Sequence, residues 1–227
     1  MELGLKCAER AEVVLRARPE VDTLQLRMKR PAHIEDTRWS QQLHDAIVRS
    51  QRAADAAGVT LVVNDHWHTA LQAGARALHL GQEDLLALSA DDQALLRGQG
   101  HRVQLGLSSH SLWELARALG CGPSLIACGP VQATTTKHMP WQPQGRHNLS
   151  WWVAHSPVPV VGIGGLLTAA DLQHMSGAGA AALCVVRALG QDPTELPARL
   201  AALRTLRLQP HGAQGAQRAP ALPHPVL

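Results

Sequence analysis

Short runs of Leu, Val, Ile and Ala alternate along the chain with longer stretches in which apolar positions recur at helical spacing. The short runs predict strands at Thr23–Met28, Val59–Val63, Ala77–Leu80, Val103–Leu107, Leu125–Cys128, Val158–Ile163 and Ala181–Val186. The longer stretches predict helices at Ser40–Ala57, Trp67–Ala73, Ser89–Arg97, Leu112–Leu119, Leu149–Ala154, Ala169–Met175 and Thr194–Leu206. Gly58 and Gly74 stop two of them, and Ser89 can cap a third, with Asp91 and Asp92 in its first turn. Strands separated by helical patterns argue for βα units and a parallel sheet.

The register of these units implies one more at the front. Its helix is expected at Ala8–Ala17, and its strand could only be Leu3–Cys7, which is short and contains a Gly and a Lys. The expected fold is therefore α/β, a single (βα)8 TIM-type barrel over residues 1–207 with a short or degraded first strand. A seven-stranded open sheet is the alternative. Residues 208–227 are rich in Pro, Gly, Ala and Gln, and the prolines exclude a helix, so a disordered tail is expected there.

Composition narrows the function classes. The 227 residues, 45% of them hydrophobic, suffice for a sizeable core and match one βα barrel in size. Charged residues are 17% and the formal net charge is +3, which argues against disorder throughout. The pI near 8.9 reflects a small Arg surplus rather than a basic block. A nucleic-acid partner is thus not implied, whereas anionic small molecules remain candidates. No apolar run approaches the ~20 residues of a membrane helix, and the N-terminus lacks the basic-then-apolar order of a signal peptide. The expectation is a cytoplasmic protein with no membrane partner; its oligomeric state, a homo-oligomer included, is left open. Six Trp stand beside no Phe and no Tyr, so the core falls to small and branched side chains, which suit the layers inside a parallel barrel and are equally explained by a GC-rich, Ala- and Arg-heavy coding bias. Cys7, Cys121, Cys128 and Cys184 form no C-x-x-C pair and are expected as buried thiols.

In a βα barrel, chemistry collects past the C-terminal strand ends. Beyond the first clear strand, Gln25, Arg27 and Lys29 alternate with Leu26 and Met28. The three polar groups either face an anionic ligand or mark an exposed edge, because alternation alone does not say which face is buried. The next two strands end in Asn64-Asp65 and in Gly81-Gln82-Glu83-Asp84. Neighbouring strand ends would let Asp65 and Asp84 converge on one hard cation such as Mg²⁺, shared with substrate phosphate oxygens. Each Asp is equally explained as a helix cap. Ser108 or Ser109 could donate to a phosphate or cap the following helix. A long loop, Gly129–His147, carries Thr134, Thr135, Thr136 and Lys137, which look like an anion clamp on a lid. Gly164-Gly165 and Val186-Arg187 close the last two strands, where backbone N–H groups can hold a phosphate. The thirteen His form no convincing triad or metal cluster and are read as surface or supporting groups.

Taken in order, the stretches QLRMK (Gln25–Lys29), ND (Asn64–Asp65), HLGQEDL (His79–Leu85), LGLSSHS (Leu105–Ser111), GPVQATTTKHMP (Gly129–Pro140) and VGIGGL (Val161–Leu166) resemble the thiamine-phosphate synthase family. The resemblance runs from about Leu24 to Leu189. It implies a transferase that joins a hydroxymethylpyrimidine diphosphate to a thiazole phosphate, releasing pyrophosphate by Mg²⁺-assisted dissociative substitution. By the same resemblance, Asp65 and Asp84 hold the metal, and Lys137, Arg27, Lys29 and Ser108 are catalytic. Gln25, Leu26, Arg27, Met28 and Lys29 bind the pyrimidine substrate, while Asn64 and Ser108 hold the diphosphate. Thr134, Thr135, Thr136, Lys137, Gly165, Val186 and Arg187 line the phosphate side. The sequence departs from the family pattern at Gln132-Ala133, where an aromatic-Pro pair is usual, and at Arg187, where a small Ser is usual. The first suggests different lid packing; the second is tolerated if only backbone matters, or adds a phosphate contact. A thiazole tautomerase-like isomerase and a non-catalytic phosphate-ligand binder are the alternatives; the intact Asn64-Asp65 and GQED stretches speak against the first.

Overall fold

The structure, a computed structural model, describes residues 2–16, 21–100, 102–135, 141–190 and 194–203. It packs as two compact units, Met1–Leu105 and Gly106–Leu227. Among the described residues there are seven strands, with helices between them.

In the first unit, helix α1 (Glu2–Arg16) precedes β1 (Thr23–Leu26), α2 (Asp36–Ala57), β2 (Thr60–Asn64), α3 (Trp67–Gln72), β3 (Ala77–Leu80), α4 (Gln82–Ala87) and α5 (Ala90–Gly98). The expected first strand is corrected: Leu3–Cys7 lies within α1. That segment contains no β-branched or aromatic residue, and Leu and Lys favour helix. It continues into Ala8, Ala11, Val14 and Leu15, all buried at helical spacing, so a helix buries one face where a strand would not. α1 packs on α2. Arg49 fastens the pair by donating from Nε and Nη2 to the two Glu12 carboxylate oxygens at 2.6 and 3.0 Å. These charged hydrogen bonds hold the Glu12 carboxyl below its ordinary range.

The start of α2 also differs from expectation, coming at Asp36 rather than Ser40. Its end is as expected, with Gly58 in the left-handed conformation (φ 69°), where only glycine sits without cost. Ser89 caps α5, accepting from the Asp92 N–H while the Asp92 carboxylate returns the bond to Ser89.

β1, β2 and β3 pair in parallel, with Gln25 opposite Val62, and Asn64 opposite His79. Leu26, Leu61, Val63, Leu78 and Leu80 share one face and are buried. Each such side chain contributes about 1.5–3 kcal/mol of transfer free energy. Gln25, Asn64 and His79 fall on the opposite face, because side chains alternate along a strand.

β4 (Gln104–Ser109) runs into the second unit, followed by α6 (Leu112–Leu119), β5 (Leu125–Cys128), α7 (Gly145–His155), β6 (Val160–Ile163), α8 (Ala169–Ser176), β7 (Ala182–Cys184), a 3₁₀ turn (Arg187–Leu189) and α9 (Leu196–Leu203). β4 to β7 pair in parallel in sequence order. Leu107, Ile126, Cys128 and Val160 lie on the face that meets the buried Leu149 and Trp152 of α7. Gly162 belongs to that face: a Cβ there would fall 2.9 Å from Leu183 and 3.0 Å from Leu149, so glycine lets the helix close onto the sheet. The Cys128 thiol is fully buried and its ionisation is pushed up by that burial; Cys184 is pushed up to about 11 for the same reason. Cys121, Cys128 and Cys184 are free thiols. α7 begins at Gly145, so the long loop closes sooner than His147. Residues 136–140 and 208–227, on which two lid residues and the expected tail fall, lie outside the described residues. No described helix is long and apolar enough to cross a membrane.

Candidate active site

The first unit gathers polar groups past the ends of β1, β2 and β3. β1 stops at Leu26; Leu26 and Met28 point into the core, at 6% and 2% exposure, while Arg27 and Lys29 are exposed. Leu26 and Met28 can therefore offer a ligand only their backbone. The Met28 carbonyl already pairs with His66 Nε2 at 2.8 Å. Gln25 Nε2 donates to Asn64 Oδ1 at 2.9 Å, tying the ends of β1 and β2 together. Asn64 is buried, and the bond fixes which way both amides face.

Asp65 follows with φ +68°, a left-handed backbone that a non-glycine residue adopts only where the surroundings impose it. Two hydrogen bonds impose it: Asp65 N–H donates to His79 O at 2.9 Å, and His66 N–H to Asn64 O at 3.1 Å. The turn swings the Asp65 carboxyl beside that of Asp84. The Asp65 carboxyl is held above its ordinary range, first by burial, next by the Asp84 charge and the hydrogen bond between the two acids, with Arg27 and His66 partly offsetting this. Asp84, in the first turn of α4, accepts from the Gly81 N–H at 3.1 Å. The capping and the pairing of Asp84 therefore coexist: one oxygen serves the helix end, and glycine can offer no side chain in return.

His79 was not singled out from the sequence. It stands between buried Leu78 and Leu80, so alternation alone puts it on the face of Gln25 and Asn64, directly opposite Asn64. Burial lowers its pKa to about 4, so the ring is neutral at pH 7. Among the described residues no group of three or more His, Cys, Asp or Glu is placed to hold a metal; the acid pair stands as a pair.

The second unit builds with backbone instead. Ser108 lies on the face of β4 opposite buried Leu107 and Ser109, and Ser109 is spent on the Ser111 carbonyl at 3.2 Å. The cap of α6 is Ser111, not Ser108 or Ser109. The loop after β5 extends the pairing with β6: Val131 N–H donates to Ile163 O at 2.9 Å and Gln132 N–H to Gly164 O at 3.1 Å. Gly164 and Gly165 have φ 101° and 76°. A Cβ on Gly165 would fall 2.5 Å from Gln132 Cβ and 2.7 Å from Ala133 O, so this glycine is required by conformation and by space alike. Gln132 does not leave the loop loosely packed. With its amide oriented to donate, it reaches Gly165 O at 3.1 Å and Asp171 Oδ1 at 3.2 Å. Buried Gln144 pins the loop's other end, donating from its N–H to Pro130 O at 2.8 Å and from Nε2 to His110 O at 3.1 Å.

Thr134 and Thr135 follow this anchored start, and Arg187, at the end of β7, donates from Nη1 to Thr135 Oγ1 at 2.9 Å. Val186 is exposed. Thr136 and Lys137 lie outside the described residues. Neither the Arg187–Thr135 bond nor the seat of Gln132 had a signal in the sequence, since both join residues far apart in the chain.

Each unit, taken by itself, is a run of parallel βα elements with polar groups past its strand ends, the place where such folds take small molecules. The comparisons agree. A family model described as Thiamine monophosphate synthase matches residues 4–189. A thiamine-phosphate synthase of Rhizobium etli is 39% identical over 176 residues, 76% of this chain and 80% of that protein. One of Neisseria meningitidis is 40% identical over 172 residues, 74% and 76% of the two chains. The fold matches the solved structure of a thiamine phosphate pyrophosphorylase from Pyrococcus furiosus at 20% identity and a TM-score of 0.70, covering 87% of each chain. The chain belongs to the thiamine monophosphate synthase family, and its α/β fold is the TIM-like fold of that solved relative.

Proposed function

We propose that this chain joins 4-amino-2-methyl-5-hydroxymethylpyrimidine diphosphate to thiazole phosphate, giving thiamine phosphate and pyrophosphate. The observation that carries the reading is the Asp65–Asp84 pair at adjacent strand ends, beside the Gln25–Asn64 bridge, in a chain of this family. In the reaction the C–O bond between the pyrimidine methylene and the diphosphate breaks, and the electron pair leaves with the diphosphate. The thiazole nitrogen then gives its lone pair to the methylene carbon. No protein nucleophile is needed.

The donor set fits a magnesium ion: two carboxylates, one of them held above its ordinary range by burial and then by the other's charge, are a hard oxygen site that a divalent cation would relieve. Asp65 and Asp84 would hold it. When bound, Mg²⁺ supplies charge neutralisation for the departing diphosphate. Exposed Arg27 and Lys29 add positive charge at the same strand end. With the Gln25–Asn64 bond made, Gln25 Oε1 remains to accept from the pyrimidine amino group, and Asn64 Nδ2 remains to donate to diphosphate oxygen. Ser108 and Lys137 are assigned to the diphosphate, and Thr134, Thr136 and the backbone N–H groups of Gly165, Val186 and Arg187 to the thiazole phosphate, on the resemblance of their motifs. Doubly charged phosphorylated substrates do not cross membranes unaided, which supports a cytoplasmic location.

The test is direct. The purified chain, with Mg²⁺ and both substrates, should form thiamine phosphate and pyrophosphate in equal amounts. Absence of both products overturns the reading.

A further inference from the structure

The parallel ladder between β1 and β2 ends at the Leu26–Val63 pair. Arg27 and Lys29 lie just beyond it, where backbone pairing with β2 has stopped. A side chain takes over there. The His66 ring, on the turn that follows β2, pairs through Nε2 with the Met28 carbonyl at 2.8 Å. A carbonyl only accepts, so Nε2 carries the hydrogen. That carbonyl shares a planar peptide unit with the Lys29 N–H, so holding it sets the direction in which the chain leaves Met28. The buried Met28 side chain fixes the same residue from the core. His66 is itself well held. Its N–H donates to Asn64 O at 3.1 Å, and its carbonyl accepts from the Ala70 N–H at 3.0 Å. Its ring meets that of buried Trp39 edge-on, with centroids 5.6 Å apart at 69°. His66 stands at the N-cap of α3, yet its side chain makes no cap hydrogen bond there. The ring serves Met28 instead, and so joins the segment after β1 to the Asp65 turn and to α2.

We propose that His66 is a positioning residue for the proposed reaction: by holding the Met28 peptide against the Asp65 turn, it keeps Arg27 and Lys29 in place beside the Asp65–Asp84 pair for the departing diphosphate. This deepens the proposed reaction and rests on it for the identity of the anion. A cation stabilises developing negative charge best when it is already in place, because no reorganisation is then left to the reacting step. Arg27 and Lys29 are exposed, and a long side chain on a loose backbone spreads over many positions. Pinning the residue between them removes the backbone share of that freedom. His66 touches no reacting atom and moves no proton; its effect passes through Met28 to the two cations.

The experiment compares the full chain with three variants. His66→Phe keeps a ring for Trp39 but cannot donate, His66→Met has length without a donor, and His66→Gln has both length and a donor. Calorimetric binding of inorganic pyrophosphate with Mg²⁺, and separately of thiazole phosphate, is read on folded protein, as judged by thermal unfolding. The Phe and Met substitutions should weaken pyrophosphate about tenfold and leave thiazole phosphate within about twofold, and His66→Gln should recover most of the loss. In turnover they should lower kcat/KM for the pyrimidine diphosphate, with KM for thiazole phosphate near wild type. In a Lys29→Ala background, where one of the two cations is gone, His66→Met should cost less than about threefold. Pyrophosphate binding and kcat/KM within about twofold of wild type overturn the proposal and leave the reaction untouched. Equal weakening of both ligands, no recovery by His66→Gln, or a loss of the same size in the Lys29→Ala background reduces the ring to scaffolding and overturns it as well. Wild type that makes no product yet shows the contrast in pyrophosphate binding supports the His66 assignment and removes the reaction instead. Wild type that neither makes product nor binds pyrophosphate overturns both.

Discussion

The strand ends of the two units are built by different means. In the first, side chains carry the chemistry and hold one another: Gln25 to Asn64, Asp65 to Asp84, with the turn at Asp65 fixed by His79 O. In the second, glycine exposes backbone, and the side chains are hydroxyls with one arginine. The described strand ends of the first unit are therefore organised around a carboxylate pair, and those of the second around backbone, hydroxyls and Arg187. The difference teaches where each half is vulnerable. The first fails when a functional group is removed; the second fails when a methyl is added.

The largest effect should come from the acid pair. Asp84→Asn keeps an oxygen for the Gly81 N–H and so spares the helix cap, yet removes the charge. It should lower kcat by on the order of 100-fold with little change in thermal midpoint. A loss of stability without loss of turnover would reduce Asp84 to its cap. Next in size is the added methyl. Gly165→Ala forces a side chain at φ 76° into Gln132 and Ala133, and should raise KM for thiazole phosphate roughly tenfold or more while KM for the pyrimidine substrate holds. Equal rises in both constants would erase the contrast between the units. Gln25→Leu, which strands the Asn64 oxygen, should cost about tenfold in kcat/KM for the pyrimidine substrate. Normal kinetics would mean that the amide bridge is scaffolding only.

The smallest effect concerns stability and sharpens the picture of the first unit. His79 is neutral in the fold with a pKa near 4, against 6.5 unfolded. Its contribution is present in full above about pH 6.5 and is lost as pH falls through about 4, because the unfolded chain takes up the proton first. At 1.36 kcal/mol per pH unit this is at most ~3 kcal/mol, and less to the extent that water reaches the partly exposed ring. Denaturant melts of wild type and His79→Gln between pH 7.5 and 4 should diverge in that window, wild type falling more steeply. Parallel curves would place the ring in water.

Much of this was legible in the sequence, for reasons that differ by element. β3 is bracketed by Gly74 and Gly81, and α5 carries its own cap at Ser89 with Asp92, so both could be read locally. The approach of Asp65 to Asp84 followed from the neighbouring ends of β2 and β3. At Leu3–Cys7 the eightfold pattern and local preference point to different structures, and the buried face of α1 shows local preference winning. The Gly164-Gly165 pair announced a crowded turn but not that Gln132–Ala133 crowds it. The bond from Arg187 to Thr135 spans 52 positions and depends on how β7 and the loop are laid side by side, which no local pattern encodes.

The central claim is that Asp65 and Asp84 form a strained pair waiting for a divalent cation. The Asp65 carboxyl is raised by burial and by its neighbour, so the stability tied to its protonated form is full below about pH 3.8 and is lost as pH climbs through the raised value. Thermal unfolding of wild type and Asp65→Asn at pH 7, each with and without Mg²⁺ and pyrophosphate, tests this directly. The account predicts that Asp65→Asn melts above metal-free wild type, and that Mg²⁺ with pyrophosphate raises the wild-type midpoint but not the variant's. A variant that melts no higher than metal-free wild type, and that responds to Mg²⁺ and pyrophosphate as wild type does, would contradict it.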